Sequence, residues 1–147
     1  MSEQDSAAPE HALSPLADAL VQVGDRWTLL VVQALLPGPR RFNELLEDIP
    51  GIAANILSQR LKRLERDALL LSRPYTERPP RAAYELTAEG RELAGALRLL
   101  AHWGARHALP AEAPRHSACG TPLEARWYCP TCDHLVEDEP ELEMHLL

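Results

Sequence analysis

The sequence predicts a mainly α fold of the α+β class, and three observations predict it. Residues 53–67, AANILSQRLKRLERD, place Leu57, Leu61 and Leu64 at helical spacing, with Ala68 next in the row, so one face of a helix is apolar. Ahead of it lies a short helical stretch, 44–48, and a tight turn through Ile49, Pro50 and Gly51. Behind it, residues 69–75 and 81–87 read as paired strands, and 88 to about 107 as a long helix. A short helix, a glycine-containing turn, a longer basic helix and a hairpin, in that order, are the layout of a winged helix-turn-helix.

Taken in order, residues 1–12 are polar, acidic and without apolar period, and are expected to be a disordered tail. The winged-helix domain is expected over 13–108. Ser14 reads as an N-cap with Pro15 at the first helical position; Leu16, Leu20 and Val23 share a face until Gly24 ends the helix. Asp25 caps a second helix, 26–36, apolar enough to be buried on most sides, and Pro37-Gly38-Pro39 stops it. Residues 40–42 are briefly extended, and Asn43 is expected to cap the short helix with Leu45 and Leu46. Residues 76–80, TERPP, read as a stiff loop unable to supply a regular ladder.

Thr87 caps the closing helix. Leu93, Leu97, Leu100 and Gly104 form its stripe, widened by Ala96, Leu99 and Trp103. Leu86, Leu93 and Leu97 are expected to close the core. Leu99, Trp103 and His107, with Leu16 and Leu20 of the first helix, are then left for a second copy of the chain. The alternative for Trp103 is that it finishes the monomer core. A dimer is favoured because one small winged domain touches few bases, whereas a two-fold pair reads a palindrome.

The charge points to nucleic acid once its distribution is read. The chain of 147 residues carries a net charge of −7. Between 53 and 81, however, seven basic residues face three acidic ones, while between 110 and 147 two face eight. The acid sits at the end and the base in the middle, where phosphate contact needs it. On the helix of 53–67, Asn55, Gln59, Lys62 and Arg66 lie opposite the leucine stripe, flanked by Ser58 and Arg63. Asn and Gln can pair bidentately with adenine, Arg and Lys with guanine, and the cations neutralise phosphates. Arg78 and Arg81 on the hairpin are placed for phosphate or a narrow minor groove. The bland alternative is a solvated hairpin whose charges resist edge pairing.

Other classes find less support. The longest apolar run of the helical part, 27–32, is too short to span a membrane. The start lacks the basic and apolar regions of a signal peptide, so a cytoplasmic protein is expected. An enzyme is not expected: no Ser-His-Asp order, phosphate loop or paired carboxylates stand out, and His102 and His107 read as solvent or interface residues. A winged-helix protein-interaction module that does not bind DNA is the remaining alternative.

The phrases GDRWTLLVVQALLPGPRRFNEL, LSQRLKRLERDALL and PPRAAYELTAEGREL, in this order, resemble the HxlR-type winged helix-turn-helix regulators over residues 14–107. Gly24, Arg26 and Trp27 match the family's G-K-W turn with Arg for Lys. Arg41, Phe42 and Asn43 match its R-F-N-E-L segment, and Leu57, Ser58, Gln59, Arg60 and Leu61 its recognition helix. Pro79, Pro80, Arg81 and Tyr84 match its wing. The resemblance implies a dimeric bacterial regulator that binds operator DNA, and some relatives respond to oxidants, electrophiles or metabolites. The DNA-contacting set expected here is Arg41, Asn43, Asn55, Ser58, Gln59, Arg60, Lys62, Arg63, Arg78 and Arg81. Two departures stand out. Ser14 occupies the place where redox-sensing relatives carry a cysteine, so a sensor disulfide there is excluded. Ala53 replaces the usual capping Ser, a loss of about 1 kcal/mol locally.

Residues 109–147 form a separate unit resembling a zinc ribbon. His116, Cys119, Cys129 and Cys132 read H-x-x-C-G and C-P-x-C-D, separated by an expected strand over 123–128. Zn²⁺ takes four tetrahedral N or S ligands, and each such turn presents two. So small a tail cannot bury a core, and a structural zinc would be its main stabiliser. His134 or water in place of His116, a ribbon without metal, and a Cys129–Cys132 redox pair are the alternatives. The acidic stretch 137–143 and His145 read as a solvated end.

Overall fold

The computed structural model describes residues 14–105 and 115–136. The expected N-terminal tail, His107 and the acidic end lie outside the described residues. Helix α1 spans Pro15–Val23, with the Ser14 hydroxyl accepting from the Ala17 N–H at 3.2 Å. Helix α2, Arg26–Leu35, starts where Asp25 Oδ1 accepts from the N–H groups of Trp27 and Thr28, both at 3.1 Å. Both caps stand where the sequence puts them.

Strand β1, Arg40–Arg41, runs straight into helix α3, Phe42–Asp48. The expected cap at Asn43 is therefore corrected: Arg41 is the N-cap, and Asn43 lies inside the first turn. Arg41 offers no capping side-chain bond; instead the Glu44 carboxylate reaches back to the Arg41 N–H at 2.6 Å. Pairing of β1 with strand β3 (Pro80–Leu86) holds Arg40 and Arg41 extended, so the helix begins directly after them.

Helix α4, Ala54–Arg66, begins at Ala53 with no side-chain cap bond. Leu57, Leu61 and Leu64 are buried, but the stripe does not continue to Ala68. The helix ends at Arg66, and Ala68 is exposed in the left-handed region (φ 57°) while the Leu69 N–H bonds the Leu64 carbonyl at 2.9 Å.

Strand β2, Leu70–Glu77, pairs antiparallel with β3, giving the sheet order β1-β3-β2. Pairing continues to Glu77↔Pro80, past a register shift between Pro74 and Thr76. The expected unpaired loop over 76–80 is thus a tighter turn at Arg78 and Pro79. The prolines are tolerable by position: Pro74 lies on the edge strand β2, Pro79 in the turn, and Pro80 is the first residue of β3. The Thr76 hydroxyl donates to the Pro79 carbonyl at 2.7 Å and ties the turn.

Helix α5, Ala88–Ala105, is docked by Thr87, whose hydroxyl accepts from the Gly90 N–H at 3.1 Å and donates to the Ala68 carbonyl at 2.8 Å. Gly90 is required here, because a Cβ would stand 2.2 Å from the Leu69 carbonyl oxygen. The core gathers Val31, Val32 and Leu35 of α2 with Leu45, Leu57, Leu61, Leu64, Leu70 and Leu86. Leu93 and Leu97 of α5 pack partly buried against it, as expected.

In the tail the expected strand over 123–128 is displaced. Strand β4 is Trp127–Cys129, paired antiparallel with an unanticipated β5, His134–Val136. The Cys129–Cys132 turn reverses the chain, so the partner strand follows at once.

Candidate nucleic-acid interface

The buried leucines of α4 fix which of its side chains face outward. Asn55, Gln59 and Lys62 are exposed together opposite Leu57, Leu61 and Leu64, and Ser58 is half-buried at their edge. The turn before α4 is pinned by the buried Ile49 and Ile52, with Gly51 at φ 85°. An α3–turn–α4 unit with amides and a cation on its outer face is thereby held rigidly.

Two of the expected DNA-contacting cations have protein partners. Arg60 Nε stands 2.8 Å from Asp25 Oδ1, both side chains half-buried, so the pair ties α4 to the start of α2. Arg63 donates to the Val21 carbonyl just inside the end of α1 and lies 3.8 Å from Asp67. Arg60 and Arg63 thus hold α4 in place. Asp25, which the sequence marks as a cap, also anchors α4 through Arg60. Burial raises the pKa of its carboxyl, but hydrogen bonds from the Thr28 hydroxyl and N–H, and from Arg60, outweigh that and hold it below the usual value.

The hairpin adds a basic cleft. Arg41, Asn43, Tyr75, Arg81 and Tyr84 are among the residues lining an open space of about 410 Å³ between the start of α3 and the wing. The Arg41 guanidinium lies 4.7 Å from the centre of the Tyr75 ring, a cation–π contact joining the two elements. Arg78 and Arg81 are exposed, whereas Arg73 is paired across the strands with Glu85 at 3.2 Å. The structure therefore groups Arg41, Asn43 and Arg81 at the cleft, Asn55, Gln59 and Lys62 on α4, and Arg78 at the wing tip.

Of the residues expected at a dimer interface, Leu16 and Leu20 of α1 and Leu99 and Trp103 of α5 are exposed in the single chain, and His107 lies outside the described residues. Val21 and Leu100, not expected there, are exposed beside them. Trp103 keeps 58% of its surface exposed, so it does not finish the monomer core. Leu100, expected in the buried stripe, also faces out.

In the tail the expected ligands form two pairs. His116 Nδ1 lies 3.2 Å from Cys119 Sγ, and the Cys129 and Cys132 thiols hydrogen-bond one another. Hydrogen bonds with the Thr121 hydroxyl and N–H, and then with His116, bring the Cys119 thiol down to about 7. Among the described residues no three His, Cys, Asp or Glu side chains form a group able to hold a metal ion. The single set of four is thus not assembled: almost every side chain of 115–136 is exposed, and no packing presses the two turns together.

Comparison with known proteins agrees with the body's architecture. Residues 22–112 match the family described as HxlR-like helix-turn-helix. An uncharacterised HTH-type transcriptional regulator of Mycobacterium tuberculosis is 38% identical over 118 residues, covering 78% of this chain and 74% of its own. The HTH-type transcriptional regulator YodB of Bacillus subtilis is 31% identical over 97 residues, 66% of this chain and 87% of that one. The solved structure of its reduced form has a TM-score of 0.55 at 30% identity, covering 69% of this chain and 100% of that chain. A crystal structure of the regulator YtcD has a TM-score of 0.60 at 35% identity, covering 65% of this chain and 97% of that chain; the YtcD of Bacillus subtilis is 36% identical over 85 residues, 58% of this chain and 68% of that protein. Among the described residues no helix is long and apolar enough to cross a membrane.

Proposed function

The chain belongs to the HxlR-like helix-turn-helix family and is a DNA-binding transcription regulator; from that premise we propose that it acts as a homodimer on a palindromic operator. The observation that carries this reading is the outer face of α4, where Asn55, Gln59 and Lys62 stand exposed on a helix whose other side is buried. Asn55, Ser58 and Gln59 read base edges in the major groove, and Lys62 supplies a base or phosphate contact. Arg41, Asn43, Arg78 and Arg81 grip the backbone on either side of the cleft. Arg60 and Arg63 act mainly through the helix they hold in place.

The exposed leucines of α1 and α5, with Trp103 and His107, form the dimer seam, which fixes two reading helices at a set spacing. Work on chromosomal DNA puts the protein in the bacterial cytoplasm. Ser14 uses its hydroxyl as the α1 cap, and a hydroxyl cannot form a sensor disulfide, so control by oxidation at that position is absent.

Gel-shift and anisotropy titrations against DNA upstream of the gene test the reading. Gln59→Ala is expected to weaken specific binding by about 1–3 kcal/mol. Binding of the parent should fall steeply with salt, in proportion to the phosphates neutralised. Equal affinity of parent and Asn55→Ala/Gln59→Ala for every fragment would overturn the assignment of α4, and salt-insensitive behaviour would favour a protein partner instead. Light scattering tests the seam: Leu99→Asp/Trp103→Asp should be monomeric.

A further inference from the structure

We propose that residues 115–136 are a structural site for one zinc ion, ligated by His116, Cys119, Cys129 and Cys132. The two turns share one backbone construction, which spacing alone does not show. In each, the residue after the second ligand adopts the left-handed conformation: Gly120 at φ 72° and Asp133 at φ 55°. In each, that residue's N–H bonds the carbonyl of the first ligand residue, Gly120 to His116 at 2.7 Å and Asp133 to Cys129 at 2.9 Å. Each turn is also closed by an antiparallel pairing, Arg115↔Pro122 for the first and β4 with β5 for the second.

This construction brings the first and fourth side chains together. His116 Nδ1 and Cys119 Sγ are 3.2 Å apart. A tetrahedral zinc with ordinary bond lengths holds a nitrogen and a sulfur ligand about 3.5 Å from each other, so this turn needs little change to chelate. Three thiols and an imidazole are a donor set for structural zinc, and four protein ligands leave no open coordination position for catalysis.

Among the described residues the segment buries little apolar surface. Leu123, Trp127, Tyr128 and Leu135 are each half or more exposed, and only Cys129 and Val136 are even half-buried. Two matched chelating turns without a core describe a unit whose folding free energy comes from the ion. The two pairs stand separately in the structure, so zinc uptake would have to draw the second turn toward the first.

The full-length chain, purified under reducing conditions and reconstituted with zinc, is expected to hold one zinc per chain by elemental analysis. Its cobalt form should show thiolate charge-transfer and tetrahedral ligand-field bands. Competition with a chromophoric chelator should show affinity falling on the order of a hundredfold in Cys119→Ser and in Cys129→Ser. Unchanged helical circular dichroism and DNA binding in both variants would show that the body remains folded. Protein without metal after reconstitution overturns the proposal, as does unchanged zinc affinity in either variant. A Cys129–Cys132 disulfide with no metal uptake by the reduced chain overturns it too.

Discussion

Residues 14–105 and 115–136 obey different physics. In the body, Val31, Val32, Leu35, Leu45, Leu57 and Leu70 are fully buried, and its elements are tied to one another by caps and side-chain bonds. In the tail the apolar side chains Leu123, Trp127, Tyr128 and Leu135 stay in solvent, and order comes from two tight turns with short pairings. The body can lose one contact and remain a domain, because burial is spread over many side chains. The tail has no such reserve, so its turns have to be held by bonds made at particular atoms.

The largest expected effect separates the two regions. Leu35→Ala removes a fully buried side chain of α2 and should cost about 2–5 kcal/mol in urea unfolding. Leu123→Ala, at a position about half exposed, should shift the same transition by less than about 0.5 kcal/mol. Equal costs would mean that the tail packs on the body in solution and that the contrast is false.

The second effect divides α4 itself. Arg60→Ala breaks the half-buried pair with Asp25 and leaves a carboxylate at the α2 cap without its cation, so stability and DNA affinity should fall together, the former by about 1–3 kcal/mol. Gln59→Ala, one residue away on the exposed face, should lower specific affinity and leave the urea midpoint nearly unchanged. Measuring both quantities for both variants distinguishes a positioning residue from a reading one.

That contrast also marks what could be read from the sequence. The buried stripe of α4 and its amide face are local periodicity, and both stand where the spacing puts them. The roles of Arg60 and Arg63 are not local. Their partners, Asp25 and the Val21 carbonyl, lie 35 and 42 residues away, and only the packing of α4 on α2 brings them near. The prolines of the wing are tolerated for a related reason. Proline breaks a ladder only where its missing N–H is needed; Pro79 falls in the turn and Pro80 is the first residue of β3, and the register that puts them there is a property of the sheet, not of the segment. In the tail, spacing places His116 beside Cys119 and Cys129 beside Cys132 but carries no information on whether the two pairs meet.

A smaller effect runs in the stabilising direction. Ala53 leaves α4 without a side-chain cap although its backbone is already extended (φ −78°, ψ 146°), the conformation a capping serine adopts. Ala53→Ser should therefore raise stability by about 0.5–1 kcal/mol, seen as a higher urea midpoint with an unchanged slope.

The smallest effect is set by pH. The Asp25 carboxyl is held below its ordinary value, with the bonds from Thr28 and Arg60 outweighing the opposing effect of burial. A carboxylate whose folded pKa is depressed adds stability that is fully present above its unfolded value, about 3.9, and is lost as pH falls through the folded one. The urea midpoint of the parent should therefore exceed that of Asp25→Asn by a constant margin at neutral pH. That margin should narrow only below about pH 4, as the parent's carboxyl takes up its proton. A margin that instead narrowed as pH rose through neutrality would mean that a different group controls the α2–α4 junction, and that Arg60 owes its position to something other than Asp25.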